Sequence, residues 1–256
     1  MTVTVEIEGV SRRFGDLEVL DDVGLTVSRG EVLSVIGPSG CGKSTLLALM
    51  AGLDEPDTGT VAIDGRTESE GRRAGSALMP QDDCLLPWFS ALDNAGLAIR
   101  NRGASRRAAR EAALPVFERL GLAGFEEARP AELSGGMRQR VAFARTLLAG
   151  KSVLLLDEPF ASLDGLTRRD LQEWVAPVLA GEERSTVLVT HDLDEALYLG
   201  SRVLVLSDRP GRVIGVQEAP ERPGMGPVEA AGNPDFGRAR EELAGLLSTA
   251  SGRATP

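Results

Sequence analysis

Apolar positions along the chain follow two different periods, and together they predict strands alternating with helices. In the first thirty residues apolar and polar residues alternate, as in strands with one buried face, and Gly and Asp interrupt the pattern as turns do. Later strands are short apolar runs, which are typical of parallel strands covered on both faces. The predicted strands lie in the stretches TVTVEIEGV, VLDDVGLTV, EVLSVIG, GTVAIDG, SVLLLDEP, STVLVTHD and RVLVLSD.

Helical spacing of apolar residues appears between these strands. KSTLLALMAGL and LDEALYLG each follow a strand, and the longest helical region runs from about Leu92 to Gly150. Strands that alternate with helices predict an α/β fold with a mostly parallel central sheet.

The last forty residues differ in composition from the rest. Residues Gln217 to Pro234 are rich in Gly, Pro and Glu, which predicts a loop or linker, and PDFGRAREELAGLL then has the pattern of a short amphipathic helix. We therefore expect a main domain over residues 1–216, followed by a linker and a short C-terminal helix over residues 217–256.

Charge and composition narrow the classes of partner. The 256 residues carry a net charge of −10, and only 4% of them are aromatic. Nucleic-acid-binding proteins attract phosphates with faces rich in Lys and Arg, so we expect no nucleic-acid partner. The two cysteines, Cys41 and Cys84, have no metal-ligand spacing and suggest no disulfide framework, which fits a reducing cytosol. No apolar run approaches the roughly 18 residues of a membrane-spanning helix, and the N-terminus does not resemble a signal peptide.

A glycine-rich loop predicts a nucleoside triphosphate site. GPSGCGKST fits the pattern G-x-x-x-x-G-K-[ST] between a predicted strand and a predicted helix. Its backbone N–H groups and the positive end of the helix would surround the phosphates. Lys43 would reach the β- and γ-phosphates, and the Ser44 hydroxyl would bind Mg²⁺. The predicted nucleotide-binding residues of this loop are Gly37, Pro38, Ser39, Gly40, Cys41, Gly42, Lys43, Ser44 and Thr45.

Two adjacent carboxylates end a predicted strand in LLLDEP. The carboxyl ends of strands are where α/β sheets bind ligands. Asp157 could hold Mg²⁺ there, directly or through water, and Glu158 could reach the water that attacks the γ-phosphate. The alternative is that both carboxylates belong to a turn and cap the next element.

A second anion-binding element follows from LSGGMRQRVAFARTLL, residues Leu133 to Leu148. Ser and two glycines open a helix, which is a favourable place for a phosphate. One chain needs only one γ-phosphate site, so this element suggests a site shared with another subunit. The alternative is a simple N-cap followed by an amphipathic helix.

Taken together, these motifs resemble those of the ATP-binding cassette (ABC) ATPases. The family's motifs occur in its order: GPSGCGKST, Gln81 in MPQDD, LSGGM, LLLDEP, SLD at Ser162 to Asp164, and THD at Thr190 to Asp192. The resemblance covers the chain up to about Val216. It implies a P-loop NTPase core with an N-terminal antiparallel β subdomain and an inserted helical subdomain at about residues 90–150.

The resemblance also implies a head-to-tail dimer with two ATP molecules at its interface. Each site would combine the phosphate loop of one chain with Ser134, Gly135 and Gly136 of the other. Phe14 matches the aromatic that stacks on adenine, although it could be an ordinary core residue. Gln81 matches the residue that contacts Mg²⁺ and the attacking water, and Asp164 would shape the dimer interface.

His191 is the only histidine in the chain. A lone histidine beside a strand is more often packed or solvated than catalytic, but the resemblance places His191 at the γ-phosphate. We expect Glu158 to be the general base and His191 to hold Glu158 and water in position. The chain departs from the family at Met137, where Gln is commonest, which puts in question a side-chain hydrogen bond at that position.

Two classes of cassette protein fit this pattern: the energising subunit of a membrane transporter, and a soluble ATPase of assembly or repair. The apolar stretch Leu85, Leu86, Pro87, Trp88 and Phe89 lies where cassette proteins meet a permease, although these residues could instead pack inside the helical subdomain. LLPW followed by LDN, and the stretch THDLDEALYLGSRVLVLSDRPGR, resemble the nitrate/sulfonate/taurine import group. This implies a peripheral subunit at the cytoplasmic face of the membrane, with a separate permease and a substrate-binding protein.

Overall fold

The computed structural model describes residues 2–161, 163–180 and 183–250. Their strands are β1 Val3–Phe14, β2 Leu17–Ser28, β3 Val32–Ile36, β4 Thr58–Ile63, β5 Ser76–Met79, β6 Val153–Asp157, β7 Ser185–Val189, β8 Arg202–Leu206 and β9 Val213–Glu218. Their α-helices are α1 Lys43–Met50, α2 Ser69–Gly75, α3 Ala91–Ala95, α4 Leu97–Asn101, α5 Arg106–Arg119, α6 Gly135–Leu147, α7 Gly165–Ala180, α8 Leu193–Leu199, α9 Pro227–Gly232 and α10 Pro234–Ala250.

The larger sheet confirms the predicted α/β class. Its six strands run in the order β5-β6-β7-β3-β8-β9, and every pairing is parallel except that of β8 with β9. The strands β3, β6 and β7 are buried throughout, as their continuous apolar runs predicted. Because the carboxyl ends of parallel strands meet at one edge, the segments that follow β3, β6 and β7 lie side by side.

The smaller sheet is the antiparallel subdomain that the family resemblance implied. Its order is β2-β1-β4, and both pairings are antiparallel. Because side chains alternate between the two faces of β1 and β2, Val5, Ile7 and Val23 lie on one buried face. That face packs on the same side of the large sheet as α1, in a core that includes Leu46 and Leu155.

The opposite side of the large sheet carries most of the remaining helices, whereas α2 contacts β4 of the smaller sheet. Leu154 and Leu156 of β6 face this side, whereas Leu155 faces the other, as strand alternation requires. The core here joins α3, α5 and α6, through residues such as Phe117 and Phe143, to α7, α8 and the C-terminal helices. No helix among the described residues combines the length and the apolar character that crossing a membrane requires.

The C-terminal part is more ordered than its composition suggested. The expected linker from Gln217 to Pro234 contains the end of β9 and all of α9, and the expected boundary at residue 216 falls inside β9. β9 is an edge strand with half-exposed residues, so its apolar signal is weak. The division into residues 1–216 and 217–256 stays a prediction, and its last six residues lie outside the described ones.

Candidate active site

The glycine-rich loop connects β3 to α1 and depends on two of its glycines. Gly40 and Gly42 have φ angles of 79° and 108°, which side chains with a Cβ rarely adopt. A Cβ on Gly42 would also lie 2.6 Å from Leu20 Cδ2. Glycine at these two positions therefore allows the loop to curve tightly into the start of α1, as a phosphate-binding loop does.

Lys43 lies at the centre of this loop. Its side chain is buried, and its ammonium group donates hydrogen bonds to the carbonyl oxygens of Gly37, at 2.8 Å, and Pro38, at 2.9 Å. Burial raises the pKa of the neighbouring Cys41 thiol, although the charge of Lys43 opposes that rise. Cys41 thus stays a neutral packing residue, and Lys43 supplies the positive charge of the loop.

The two carboxylates of LLLDEP sit where β6 ends. Asp157 is buried, and burial raises its pKa, while a hydrogen bond with Ser44 and the charge of Lys43 lower it. Glu158 has a φ angle of 46°, and its N–H donates a 2.9 Å hydrogen bond to the carbonyl of Val189. Non-glycine residues at positive φ cluster in active sites, because the surrounding structure must hold them there.

His191 follows β7 and meets Glu158. Its Nδ1 lies 3.1 Å from Glu158 Oε2, and which atom carries the proton depends on the tautomer. Asp192, the next residue, caps α8 by accepting hydrogen bonds from the N–H groups of Asp194 and Glu195. The imidazole is thereby held at the carboxyl edge of the sheet, beside the segment that carries Glu158.

An open cavity of about 620 Å³ gathers most of these groups. Its lining residues are Phe14, Val19, Ser39, Gly40, Gly42, Lys43, Ser44, Thr45, Gln81, Glu158, His191 and Arg209. Phe14 is half exposed at the rim, and the Arg12 guanidinium lies 4.7 Å from the centre of its ring. One cavity thus holds an aromatic face, a cationic loop, a carboxylate and an imidazole.

Arg209 is a cavity residue that the motifs did not single out. Its Nε and Nη2 donate hydrogen bonds of 2.9 and 2.6 Å to the carbonyl oxygen of Gly40. The available signal was its place in SDRPGR, immediately after a predicted strand, where α/β sheets bind ligands. The guanidinium adds a second positive charge beside the loop.

The residues predicted to serve a partner's nucleotide lie elsewhere on the surface of the described chain. Ser134 caps α6 and accepts a hydrogen bond from the N–H of Met137, and both Ser134 and Gly135 are exposed. A Cβ on Gly136 would lie 2.9 Å from Leu163, the neighbour of Asp164, so the start of α6 and the start of α7 adjoin. None of these residues lines the cavity.

Asp164 holds the first turn of α7. Its carboxylate accepts hydrogen bonds from the N–H groups of Leu166, at 3.1 Å, and Thr167, at 3.0 Å. The bonds to Thr167 lower the pKa of this exposed carboxyl. Ser162, the first residue of the SLD motif, lies outside the described residues.

Met137 stands at the position where Gln is commonest in the family. It is half-buried and packs against the core that α6 shares with α3 and α5. An apolar side chain that packs on the core thus stands where Gln is commonest in the family, and the cap formed by Ser134 is kept.

We expect His191→Ala to reduce the turnover number for ATP hydrolysis by about 100-fold and to change nucleotide affinity by less than threefold. A group that positions the reacting atoms acts mainly in the transition state. Steady-state hydrolysis and equilibrium binding of a fluorescent ATP analogue measure the two quantities. Turnover equal to that of the wild type would remove His191 from the reaction.

The chain is similar in sequence to proteins of a known family. A model of the ABC transporter family matches residues 20–161. The aliphatic sulfonates import ATP-binding protein SsuB 1 of Rhodococcus jostii (strain RHA1) is 48% identical over 207 residues, which cover 81% of this chain and 80% of that protein. The taurine import ATP-binding protein TauB of Burkholderia pseudomallei (strain 1710b) is 42% identical over 210 residues, covering 82% of this chain and 80% of that protein.

A solved structure agrees with the fold over the same region. The dimeric ATP-binding cassette MJ0796, in a post-hydrolysis state bound to ADP and Pi, superposes with a TM-score of 0.76 at 32% identity. The match covers 85% of this chain and 100% of that one.

Proposed function

Because this chain belongs to the ABC transporter family, we propose that it energises a membrane importer for small sulfonates. The chain is an ATP hydrolase of this family. The observation that supports ATP hydrolysis as the energy source is the contact between Glu158 and His191 in the cavity beside the glycine-rich loop. Such a pair, opposite a phosphate cradle, suits hydrolysis of a γ-phosphate by water.

In the proposed reaction each side chain acts on a different atom. Lys43 and the loop N–H groups hold the β- and γ-phosphates, and Phe14 stacks on the adenine ring. Glu158 accepts a proton from the attacking water, and His191 keeps Glu158 oriented while its other nitrogen contacts the γ-phosphate. Catalysis then arises from positioning and from electrostatic stabilisation of charge in the transition state.

Magnesium fits the oxygen groups around Ser44, which lines the cavity with Gln81 and hydrogen-bonds with Asp157. Asp157, Ser44 and Gln81 offer a carboxylate, a hydroxyl and an amide, which are the hard ligands that Mg²⁺ prefers. The described residues contain no cluster of three His, Cys, Asp or Glu side chains that could hold a metal without other ligands. Mg²⁺ usually takes one or two protein ligands together with phosphate oxygens, so ATP would complete its coordination and the metal would neutralise phosphate charge.

A second copy of the chain would complete each site. Ser134, Gly135, Gly136 and Asp164 are exposed or half-exposed and outside the cavity, as residues that serve a partner's nucleotide would be. The dimeric state of the cassette bound to ADP and Pi supports a homodimer here, and the position of these residues outside the cavity favours a head-to-tail arrangement.

The permease would contact the stretch between β5 and α3. Trp88 is 64% exposed, its ring meets that of Phe89 edge to face at 6.5 Å, and its carbonyl accepts a hydrogen bond from Arg129. Leu85, in contrast, is buried in the core. An exposed tryptophan beside a partly buried aromatic is a favourable anchor for a partner helix.

We expect Trp88→Ala to reduce recovery of the permease at least tenfold in co-purification and to leave basal hydrolysis within twofold of the wild type. Trp88→Phe should recover most of the binding, because it keeps an aromatic ring. Val216→Ala, on the exposed face of β9, is the matched control and should have no effect. Unchanged recovery with Trp88→Ala would remove this residue from the interface.

The cargo class rests on the relatives named for aliphatic sulfonates and taurine. A tagged Glu158→Gln chain with Mg-ATP should retain the permease from a membrane fraction. The wild-type complex, reconstituted in nanodiscs with its substrate-binding protein, should then hydrolyse ATP faster with taurine or a longer alkanesulfonate than with nitrate or an amino acid. Recovery of a soluble partner alone would instead favour the non-transport class.

In this proposal the chain lies at the cytoplasmic face of the membrane, where ATP is available and where a permease would present its contact surface. A substrate-binding protein would deliver the cargo on the other side of the membrane and would not touch this chain. We propose no nucleic-acid partner for this chain.

A further inference from the structure

The residues after β9 are bound closely to α8, the helix that begins two residues after His191. We define residues 219–250 as the C-terminal segment. Arg222 of this segment donates hydrogen bonds to the carbonyl oxygens of Gly200, at 3.1 Å, and Leu199, at 3.0 Å. These carbonyls lie at the end of α8, where helical partners are missing and a cation is favoured. Arg222 therefore caps α8 from outside the helix.

The same segment contacts α8 along its length. The Arg222 guanidinium lies 5.5 Å from the centre of the Tyr198 ring, and the Tyr198 hydroxyl donates a 3.3 Å hydrogen bond to the Met225 carbonyl. Near the start of α8, Arg240 of α10 pairs with Asp194 at 3.3 Å. Phe236 and Leu243 are buried in the core to which α8 contributes.

On its other side α8 is joined to α7. Gln172 Nε2 donates a 3.1 Å hydrogen bond to Glu195 Oε2 in the interior, and Arg168 lies 3.7 Å from Asp192. α7 begins immediately after Asp164. The helix after His191 is thus held between α7 and the C-terminal segment.

His191 stands two residues before the helix that these contacts hold. Its own side chain is largely exposed, and α8 has only seven residues. Helices this short are not stable without tertiary contacts. A small rotation of α8 would move the start of the helix and so change the 3.1 Å distance between His191 and Glu158.

We propose that the C-terminal segment positions His191 for hydrolysis through α8, with Arg222 as the anchoring residue. The proposal rests on the proposed function, because it assumes that His191 acts in ATP hydrolysis. Arg222 is a positioning residue, since its contacts are with the end of α8 and it does not line the nucleotide cavity.

The test measures Arg222→Ala in the full-length chain. We expect the turnover number to fall about tenfold, while KM and the affinity for a fluorescent ATP analogue change by less than twofold. Arg222→Lys should restore most of the turnover, because an ammonium can still bond a carbonyl at the end of α8. Arg238→Ala is the matched control, since Arg238 lies in the same segment and pairs with Asp235 within α10.

A double-mutant cycle separates positioning from a general loss of structure. If Arg222 acts through His191, Arg222→Ala should have little further effect in a His191→Ala background. An equal tenfold loss in both backgrounds would overturn the proposal, as would unchanged turnover in the single variant. If His191→Ala alone leaves turnover unchanged, His191 has no role in the proposed hydrolysis. That failure is distinguishable from a failure of the Arg222 proposal, in which His191→Ala lowers turnover but Arg222→Ala does not act through it.

Tyr198→Phe provides a milder variant if Arg222→Ala does not fold. It removes the hydroxyl bond to Met225 and keeps the ring beneath Arg222. We expect a two- to fivefold loss of turnover that disappears in the His191→Ala background. A loss of thermal stability with unchanged turnover would show that the C-terminal segment only stabilises the fold.

Discussion

Glu158→Gln is expected to reduce ATP turnover at least 100-fold and to leave an ATP-bound dimer that persists on size-exclusion chromatography. Glutamine has the shape of glutamate, so the contact with His191 and the lining of the cavity are kept. It cannot accept a proton from water, and a positioned base typically contributes a factor of about 10² to 10⁴ to the rate. Binding of ATP should therefore close the dimer, whereas hydrolysis no longer opens it.

Glu229→Gln is the control for this substitution, because Glu229 is exposed on α9 and does not line the cavity. It should hydrolyse ATP as the wild type does and should dissociate to monomers as ATP is consumed. Normal hydrolysis by Glu158→Gln would mean that another group activates water. A monomer that binds ATP without dimerising would contradict the shared-site geometry and leave the base assignment intact.

Lys43→Ala is expected to weaken binding of ATP by about 10- to 100-fold. The ammonium group lies in the loop, bonded to the carbonyls of Gly37 and Pro38, and it can transfer those bonds to phosphate oxygens when ATP binds. A hydrogen bond to a charged group contributes roughly 1.5–3 kcal/mol, which corresponds to this range. Equilibrium titration with a fluorescent ATP analogue measures the change.

The chain offers an unusually close control for this variant, since Lys151 is its only other lysine. Lys151 also donates its ammonium protons to a backbone carbonyl, that of Ala74 at 2.8 Å, but it lies outside the cavity. Lys151→Ala should bind ATP with wild-type affinity. If both variants bound equally well, the loop N–H groups alone would account for phosphate affinity.

Most of the parallel sheet and the glycine-rich loop could be predicted because their signals are local, whereas Phe14 and Gln81 were expected in the cavity only from the family resemblance. The buried runs around β3, β6 and β7 are continuous, and Gly37, Asp157 and His191 each stand where such a run ends. Parallel strands bring their carboxyl ends together, so local positions along the chain translate directly into neighbours in space. The roles of these residues toward ATP stay predictions until the substitutions above are measured.

The features that were missed depend on contacts between distant parts of the chain. β5 has only four residues, and β9 alternates exposed with half-exposed positions, so neither gives a distinct apolar run. Arg209 reaches Gly40 across 169 positions, because β8 pairs with β3. Likewise, the contact of Arg222 with the end of α8 shows that a stretch with the composition of a linker can be fixed by a few hydrogen bonds.

Since His191 is the only histidine and stands at 3.1 Å from Glu158, the protein carries a built-in spectroscopic reporter. Its ring protons give the only imidazole signals of the chain in a proton NMR spectrum, so they need neither isotopic labelling nor assignment by mutation, provided that any affinity tag lacks histidine. A carboxylate and a phosphate oxygen differ in their effect on the chemical shift of the ring. One resonance can therefore follow, in real time, the passage of each cassette from the empty to the ATP-loaded and then the hydrolysed state.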